Sequence, residues 1–167
     1  MKTGSGESSG QAPAIAIRRA TPGDCDGILA CLRSAFAPFQ SQYTPGAYSD
    51  TILNRNTLQD RLREMVVFVA IPDSDEVIGT IACSALHGEG HLRGMAVLPL
   101  WQGRGVSKCL LDRAESHLRE SRCNCITLDT TEPLRRAIRF YERNGFRATG
   151  RSVDFFGMPL FEYEKRL

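Results

Sequence analysis

The segment Met95–Lys108 reads MAVLPLWQGRGVSK, and its pattern is that of a strand passing through a glycine turn into a helix. Gly103 and Gly105 carry no side chain, so main-chain N–H groups can converge there on an anion. The unpaired donors and the positive dipole end of the following helix attract the same charge. Arg104 and Lys108 add to it. The pattern predicts a phosphate-binding turn, although two glycines alone also occur in ordinary strand-to-helix turns.

Two other phosphate motifs do not fit this turn. A dinucleotide-binding fingerprint needs a third glycine three residues after Gly105, where Lys108 stands. A P-loop needs a glycine immediately before Lys-Ser or Lys-Thr, and the sequence has none. The turn therefore indicates a phosphate-bearing ligand in a fold of another kind.

The composition is that of one globular domain. The chain has 167 residues, 42% of them hydrophobic, and its 21 basic and 19 acidic residues are mixed along the sequence to give a net charge of +2. We expect a single domain over 13–167 behind a disordered leader over 1–12. No charge cluster favours nucleic acid, and no apolar run predicts a membrane span or signal peptide. We therefore expect a cytoplasmic protein with reduced cysteines and no metal.

Outside the turn, hydrophobic periodicity predicts the order β-α-α-β-β-β-α-β-α-β-β. Apolar residues at helical spacing predict helices after Thr21, around Leu58 to Met65, after Gly103 and from Pro133. The segment 39–56 has no clear period and is expected to be a loop. The predicted strands are 14–18, 66–71, 77–84, 91–98, 126–130, 146–153 and 160–165.

Two motifs together resemble the GNAT superfamily of acyl-CoA-dependent N-acyltransferases. Gln102–Ser107, QGRGVS, is similar to the family's Q/R-x-x-G-x-G/A and departs only at Ser107, while Phe140–Phe146, FYERNGF, is similar to F-Y-E-x-x-G-F. The resemblance covers nearly everything from Ile15 to Leu167. It implies an α/β (α+β) fold with a mixed, mostly antiparallel sheet of about seven strands. That sheet would be splayed between strands 4 and 5 and flanked by about four helices.

The resemblance also implies a co-substrate, acetyl-CoA or another short acyl-CoA. The main chain of Met95 and Val97 would pair with the pantetheine amides, and an N–H of Met95 or Ala96 would meet the oxyanion. Leu134 stands where many relatives have an asparagine that contacts CoA. The implied cofactor-binding residues are Met95, Ala96, Val97, Gln102, Gly103, Arg104, Gly105, Val106, Ser107, Lys108 and Tyr141.

Tyr141 is the implied catalytic acid, since in many relatives this hydroxyl faces the cofactor sulfur and can protonate the leaving thiolate. The alternative is a core aromatic, because Tyr141 is in phase with the apolar face of its helix. Three residues are candidates for the base that takes the amine proton: Glu89, His91 and Asp129. Each could instead be an ordinary exposed or capping residue, with ordered water as the base.

The acceptor implied by the resemblance is an amine on a small molecule or peptide. It would enter between Phe39–Tyr48 and Asp154–Pro159, which offer aromatic side chains and a carboxylate suited to a cationic amine. The sequence leaves open whether the protein is a monomer or a homodimer. It also leaves a second function, a non-catalytic acyl-CoA-binding or regulatory module. The arginines of the helix after Pro133 are interpreted as a solvated face.

Overall fold

The computed structural model describes residues 14–167, and the leader expected over 1–12 lies outside the described residues. Within this range the chain forms seven strands and five α-helices. The strands are β1 Ile15–Arg19, β2 Val66–Pro72, β3 Gly79–Leu86, β4 Glu89–Val97, β5 Cys125–Thr130, β6 Arg147–Phe155 and β7 Met158–Arg166. The helices are α1 Cys25–Phe36, α2 Pro45–Ile52, α3 Arg55–Glu64, α4 Val106–Glu120 and α5 Arg135–Arg143.

All seven strands join one sheet in the order β1-β2-β3-β4-β5-β7-β6. Neighbouring strands are antiparallel except at the centre, where β4 and β5 run parallel. A parallel pair needs a crossover connection, and α4 supplies it. The fold class expected from the sequence is confirmed.

Two hydrophobic cores lie on opposite faces of this sheet, and β2 shows how the sequence builds both. Its residues VVFVAI are continuously apolar because alternate side chains point to opposite faces and both faces are covered. Phe68 and Ala70 pack in the core under α4, whereas Val67 and Val69 pack in the core under α1 and α3.

The prediction of a loop over 39–56 is wrong in one respect, because this segment contains α2. Thr44 caps this helix by accepting a hydrogen bond from the N–H of Ala47 at 3.4 Å, and Pro45 occupies the first helical position. Only Ala47 of the helix is buried, so no apolar stripe marks it in the sequence. The start signal was present, and the periodicity was not.

The six cysteines are all free thiols, four of them buried, while Cys109 is exposed. Among residues 14–167, no helix has the length and apolar character needed to cross a lipid bilayer. The same residues contain no group of three or more His, Cys, Asp or Glu side chains placed to hold a metal ion.

Candidate active site

The parallel strands β4 and β5 separate along their length. They pair only from Glu89 to Leu92 on β4, opposite Cys125 to Leu128 on β5. Past that point β4 pairs only with β3, where the register shifts by one residue opposite Ile81, and Gly94 adopts a φ of +63°. A bulge of this kind bends a strand away from its neighbour. The resulting gap exposes main-chain groups on the β5 side of β4.

Along β4, the N–H and C=O groups of successive residues point alternately toward β3 and toward the gap. The N–H of Leu98 donates to the C=O of Ile78 in the segment before β3 at 2.9 Å, so Leu98 faces that strand. Ala96, two residues earlier, pairs with Thr80 and faces the same way. The main-chain N–H of Val97 therefore points into the gap. Ala96 is buried, and its main chain is engaged with β3.

The turn that follows β4 has the geometry of an anion cradle. Gly103 and Gly105 have φ values of +76° and +82°, which side chains with a Cβ rarely adopt. A Cβ on Gly105 would meet no atom within 4 Å, so the main chain is open to a ligand. Val106 starts α4, and its side chain lies in the core, so only its N–H is available. The first N–H groups of α4 have no partner within the helix.

Two side chains brace this turn. Gln102 donates from Nε2 to the C=O of Val97 at 3.0 Å, and it accepts from Arg136 of α5 through Oε1 at 3.2 Å. Arg136, interpreted from the sequence as part of a solvated helix face, is exposed and also contacts the turn from that face. Arg104 turns away, with its guanidinium 5.4 Å from the Trp101 ring, and Lys108 pairs with Asp112.

A cavity of about 900 Å³ joins the turn to the gap. Its wall includes Gly103, Gly105, Ser107 and Lys108 at one end. Thr130, at the end of β5, also lines it, while its Oγ1 is buried and is the only such side-chain polar atom in 14–167 without a hydrogen-bond partner.

Tyr141 of α5 lines the same cavity while its ring is buried. It packs edge-on against Phe140 and Phe146, with ring centroids 5.4 and 5.5 Å away. Burial raises the pKa of Tyr141 well above its ordinary value because the phenolate would lose its hydration. The hydroxyl therefore keeps its proton at neutral pH.

Glu89, His91 and Asp129 come together around the paired part of β4 and β5. Thr127 donates from Oγ1 to Glu89 Oε1 at 3.0 Å, and His91 Nδ1 lies 3.0 Å from the same hydroxyl. Since the single hydroxyl proton goes to the carboxylate, Nδ1 must donate its own proton to Thr127. The other nitrogen, His91 Nε2, lies 3.7 Å from Asp129 Oδ2. Its lone pair is free in the neutral ring.

The titration of this cluster follows from its partial burial. Burial lowers the pKa of His91, and Asp129 opposes that shift. Burial also raises the pKa of Asp129, with His91 opposing. His91 is therefore neutral at pH 7, and its Nε2 can accept a proton. His91 and Asp129 line the cavity, whereas Glu89 sits behind them at the exposed start of β4.

Two arginines lie next to this cluster. Arg93 is two residues after His91 in β4, so both side chains leave the same face of the sheet. Arg93 donates to Asp50 of α2 at 2.7 Å. Arg61 of α3 is partly buried over Gly94, where a Cβ would lie 2.6 Å from Arg61 Nη1. Burial and the charge of Arg93 lower the pKa of Arg61 to about 10.

The two segments expected to receive the acceptor do meet. Thr44 donates from Oγ1 to the C=O of Phe156 at 2.7 Å, and Gly46 packs against the Phe156 ring. Phe39, Tyr43 and Phe155 line the cavity. Asp154, expected to offer a carboxylate, instead accepts a hydrogen bond from the N–H of Gly157 at 3.2 Å within its own turn.

Comparison with known proteins agrees with this geometry. The family model described as "Acetyltransferase (GNAT) family" matches residues 29–146. The chain is 30% identical over 158 residues to the aminoglycoside N(6')-acetyltransferase type 1 of Stenotrophomonas maltophilia, covering 89% of this chain and 96% of that protein. It is 33% identical over 103 residues to the peptidyl-lysine N-acetyltransferase YjaB of Salmonella typhimurium, covering 61% of this chain and 65% of that relative, just under two thirds.

Among solved structures, the PaiA N-acetyltransferase of Thermoplasma acidophilum, in complex with coenzyme A, superposes with a TM-score of 0.79. The superposition covers 92% of this chain and 99% of that chain at 18% identity, so it supports the fold alone. The family match extends over most of the chain. The protein belongs to the GNAT family of acetyltransferases, and the resemblance noted in its two motifs is confirmed.

Proposed function

We propose that this protein transfers an acetyl group from acetyl-CoA to an amine, with His91 as the base and Tyr141 as the acid. One observation carries the proposal. A neutral imidazole with a free Nε2 and a protonated phenol line one cavity that also contains the glycine turn and the gap between β4 and β5. These are the groups that aminolysis of a thioester needs.

The cofactor end of the cavity, formed by Gln102–Ser107 and the gap beside Val97, suits acetyl-CoA. The N–H groups of Gly103–Ser107 would bind the pyrophosphate. The pantetheine arm would enter the gap, where Val97 offers its N–H. The crystal of the Thermoplasma acidophilum relative contains coenzyme A, which supports this assignment. Met95 lies at the bulge, where its N–H would meet the developing oxyanion.

The acceptor end of the cavity is formed by Asp50, Arg61, His91, Arg93 and Asp129. A protonated amine would donate to Asp129 and to His91 Nε2, which are 3.7 Å apart. His91 first takes one proton from the ammonium group, which frees the nitrogen lone pair to bond to the thioester carbonyl carbon, and the nitrogen releases its second proton to solvent as the tetrahedral species collapses. The carboxylate of Asp129 then stabilises the imidazolium, and Thr127 with Glu89 holds Nδ1 in place. Glu89 therefore acts as a positioning residue.

Collapse of the tetrahedral species breaks the C–S bond and expels the CoA thiolate. Tyr141 gives its hydroxyl proton to that sulfur, and solvent restores the phenol afterwards. The products are an N-acetylated amine and free CoA thiol, and no group is oxidised or reduced. A raised pKa suits the role because the phenol is protonated when the substrate arrives.

The acceptor is proposed to be an amine-bearing small molecule or peptide. The relatives support this range, since their names specify an aminoglycoside, a peptidyl lysine and an alanine of ribosomal protein bS18. The test is release of free thiol from acetyl-CoA against a panel of amines, with the acetylated product identified by mass. Heat stabilisation by acetyl-CoA without thiol release from any amine would instead favour the non-catalytic module.

A further inference from the structure

The acceptor end contains one positive and one negative side chain without a partner of opposite charge in the part of the chain that the structure describes. The proposed reaction does not use the positive one. Arg93 is neutralised by Asp50 at 2.7 Å. Among residues 14–167, the Arg61 guanidinium has no carboxylate within 4.0 Å and donates no hydrogen bond, although it is partly buried. A guanidinium carries five N–H donors, and removing them from water without acceptors is costly.

The fold makes room for this arginine where it stands. Gly94 lies at the β4 bulge, and a Cβ there would clash with Arg61 Nη1 at 2.6 Å. The guanidinium thus rests on bare main chain beside the point where β4 leaves β5. Arg61, Arg93 and Gly94 all line the cavity that contains His91 and Asp129. A ligand group in this cavity can reach the free donors of Arg61.

The negative side chain without such a partner, Asp129, lies next to it. Asp129 has no cationic partner among the described residues other than His91, which is neutral at pH 7. His91 and Arg93 are two positions apart on one face of β4, which places them about 6–7 Å apart along the strand. Arg93 is near enough to lower the pKa of both His91 and Asp129. A negative site for an ammonium group and a positive site for an anion are therefore neighbours.

We infer that the acceptor is an amine that also carries a carboxylate, with Arg61 binding the carboxylate while Asp129 and His91 bind the amine. The planar fork of an arginine matches a carboxylate with two parallel hydrogen bonds. Arg93, held by Asp50, adds charge beside it. The aromatic wall of Phe39, Tyr43 and Phe155 receives the rest of the molecule. Amino acids are the simplest acceptors of this class.

The inference rests on the proposed function but is tested by binding rather than turnover. The protein saturated with CoA, which cannot react, is titrated by calorimetry with phenylalanine, phenylalaninamide and phenethylamine, and then with the corresponding leucine series. Each acid should bind at least about tenfold more tightly than its amide, equivalent to ~1.4 kcal/mol. Equal binding of acid and amide, or no binding of either, would overturn the inference.

Variants of α3 assign the preference to one side chain. Arg61→Gln should reduce the ratio of acid to amide affinity to within about twofold, and Arg61→Lys, which keeps the charge but not the fork, should give an intermediate ratio. The matched control is Arg63→Gln, on the same helix, where an exposed arginine pairs with Asp60. It should keep the full ratio.

Two outcomes separate this inference from the proposed reaction. If the wild-type ratio persists in Arg61→Gln, or falls equally in Arg63→Gln, the assignment to Arg61 is wrong. If acids bind through Arg61 but no amine ever releases thiol from acetyl-CoA, the proposed acetyl transfer fails while the carboxylate site stands. Circular dichroism and a thermal melt of each variant confirm that it is folded before its affinities are compared.

Discussion

At the cofactor end of the cavity the proposed binding groups are main-chain N–H groups of consecutive residues, whereas at the acceptor end they are side chains from four separate elements. Gly103 and Gly105 shape the first through their φ angles. The second needs Asp50 from α2, Arg61 from α3, His91 and Arg93 from β4, and Asp129 from β5. One end is a local structure, and the other exists only after the whole sheet has formed.

This difference suggests which end of the cavity can stay the same among related proteins and which end can vary. A main-chain cradle does not depend on the identity of most side chains, so it can keep one ligand while the rest of the sequence changes. A site of assembled side chains changes with any one of them. Relatives that act on an aminoglycoside or on a peptide lysine are consistent with a constant cofactor end and a variable acceptor end.

The strongest test of the division is His91→Gln. Loss of the imidazole base should lower kcat by about 10³-fold, within the range for general bases, and leave the Kd for acetyl-CoA unchanged. In the wild type, kcat/KM should fall as the pH drops through the pKa of His91, which lies below its ordinary value because of burial. The variant should lose that acidic limb. A pH profile that survives unchanged would assign the base to water or to Asp129.

Tyr141→Phe is expected to have the next largest effect, because this residue lines the cavity and is the proposed acid. Removal of the phenolic proton should lower kcat by about 10²-fold with little change in acetyl-CoA affinity. The ring and its contacts with Phe140 and Phe146 are retained, so the stability should change little. Stopped-flow thiol release and calorimetry with acetyl-CoA measure the two quantities. Equal losses in both, or in neither, would return Tyr141 to a packing role.

The cofactor end is probed by a pair of glycines with the same backbone strain. Gly105 and Gly150 both have a φ of +82°, and a Cβ on either would meet no atom within 4 Å. Alanine at each should therefore cost about 1–2 kcal/mol of unfolding free energy in a denaturant titration. Only Gly105→Ala should also weaken acetyl-CoA binding, by about tenfold. Equal binding by the two variants would mean that the turn does not hold the cofactor.

The same division explains what the sequence revealed. The glycine turn, the seven strands and Tyr141 were predicted because each is marked by a few neighbouring residues or by a simple period of hydrophobic residues. The helix α2 was missed because it buries only Ala47 and so has no stripe, despite the start signal of Thr44 and Pro45. A search for capping residues, independent of periodicity, would have found it.

Long-range contacts could not be predicted from local patterns. Arg136 is in register with other arginines along α5, and only the packing of that helix places it against Gln102. Arg61 belongs to a mostly polar helix, and only the bulge at Gly94 reveals where its guanidinium lies. Glu89, His91 and Asp129 were each named as separate candidates for the base. Hydrogen bonds through Thr127 join Glu89 to His91, and Asp129 lies 3.7 Å from the other ring nitrogen of His91, so the three form one cluster.

The smallest expected effect tests whether that assembly works as a unit. Glu89→Gln keeps an acceptor for the Thr127 hydroxyl but removes a negative charge that raises the pKa of His91. The pKa of His91 should fall further, so the acidic limb of kcat/KM should move to lower pH, with kcat reduced only about two- to fivefold. Thr127→Val is the matched contrast, since it leaves His91 Nδ1 without its partner and allows the wrong tautomer. That variant should lower kcat more than Glu89→Gln does, because it removes the group that orients the imidazole, while the Glu89 charge stays in place. If the two variants behave alike, or if neither shifts the pH profile, His91 acts without help from Thr127 and Glu89. The acceptor end then depends on fewer side chains than the structure brings together.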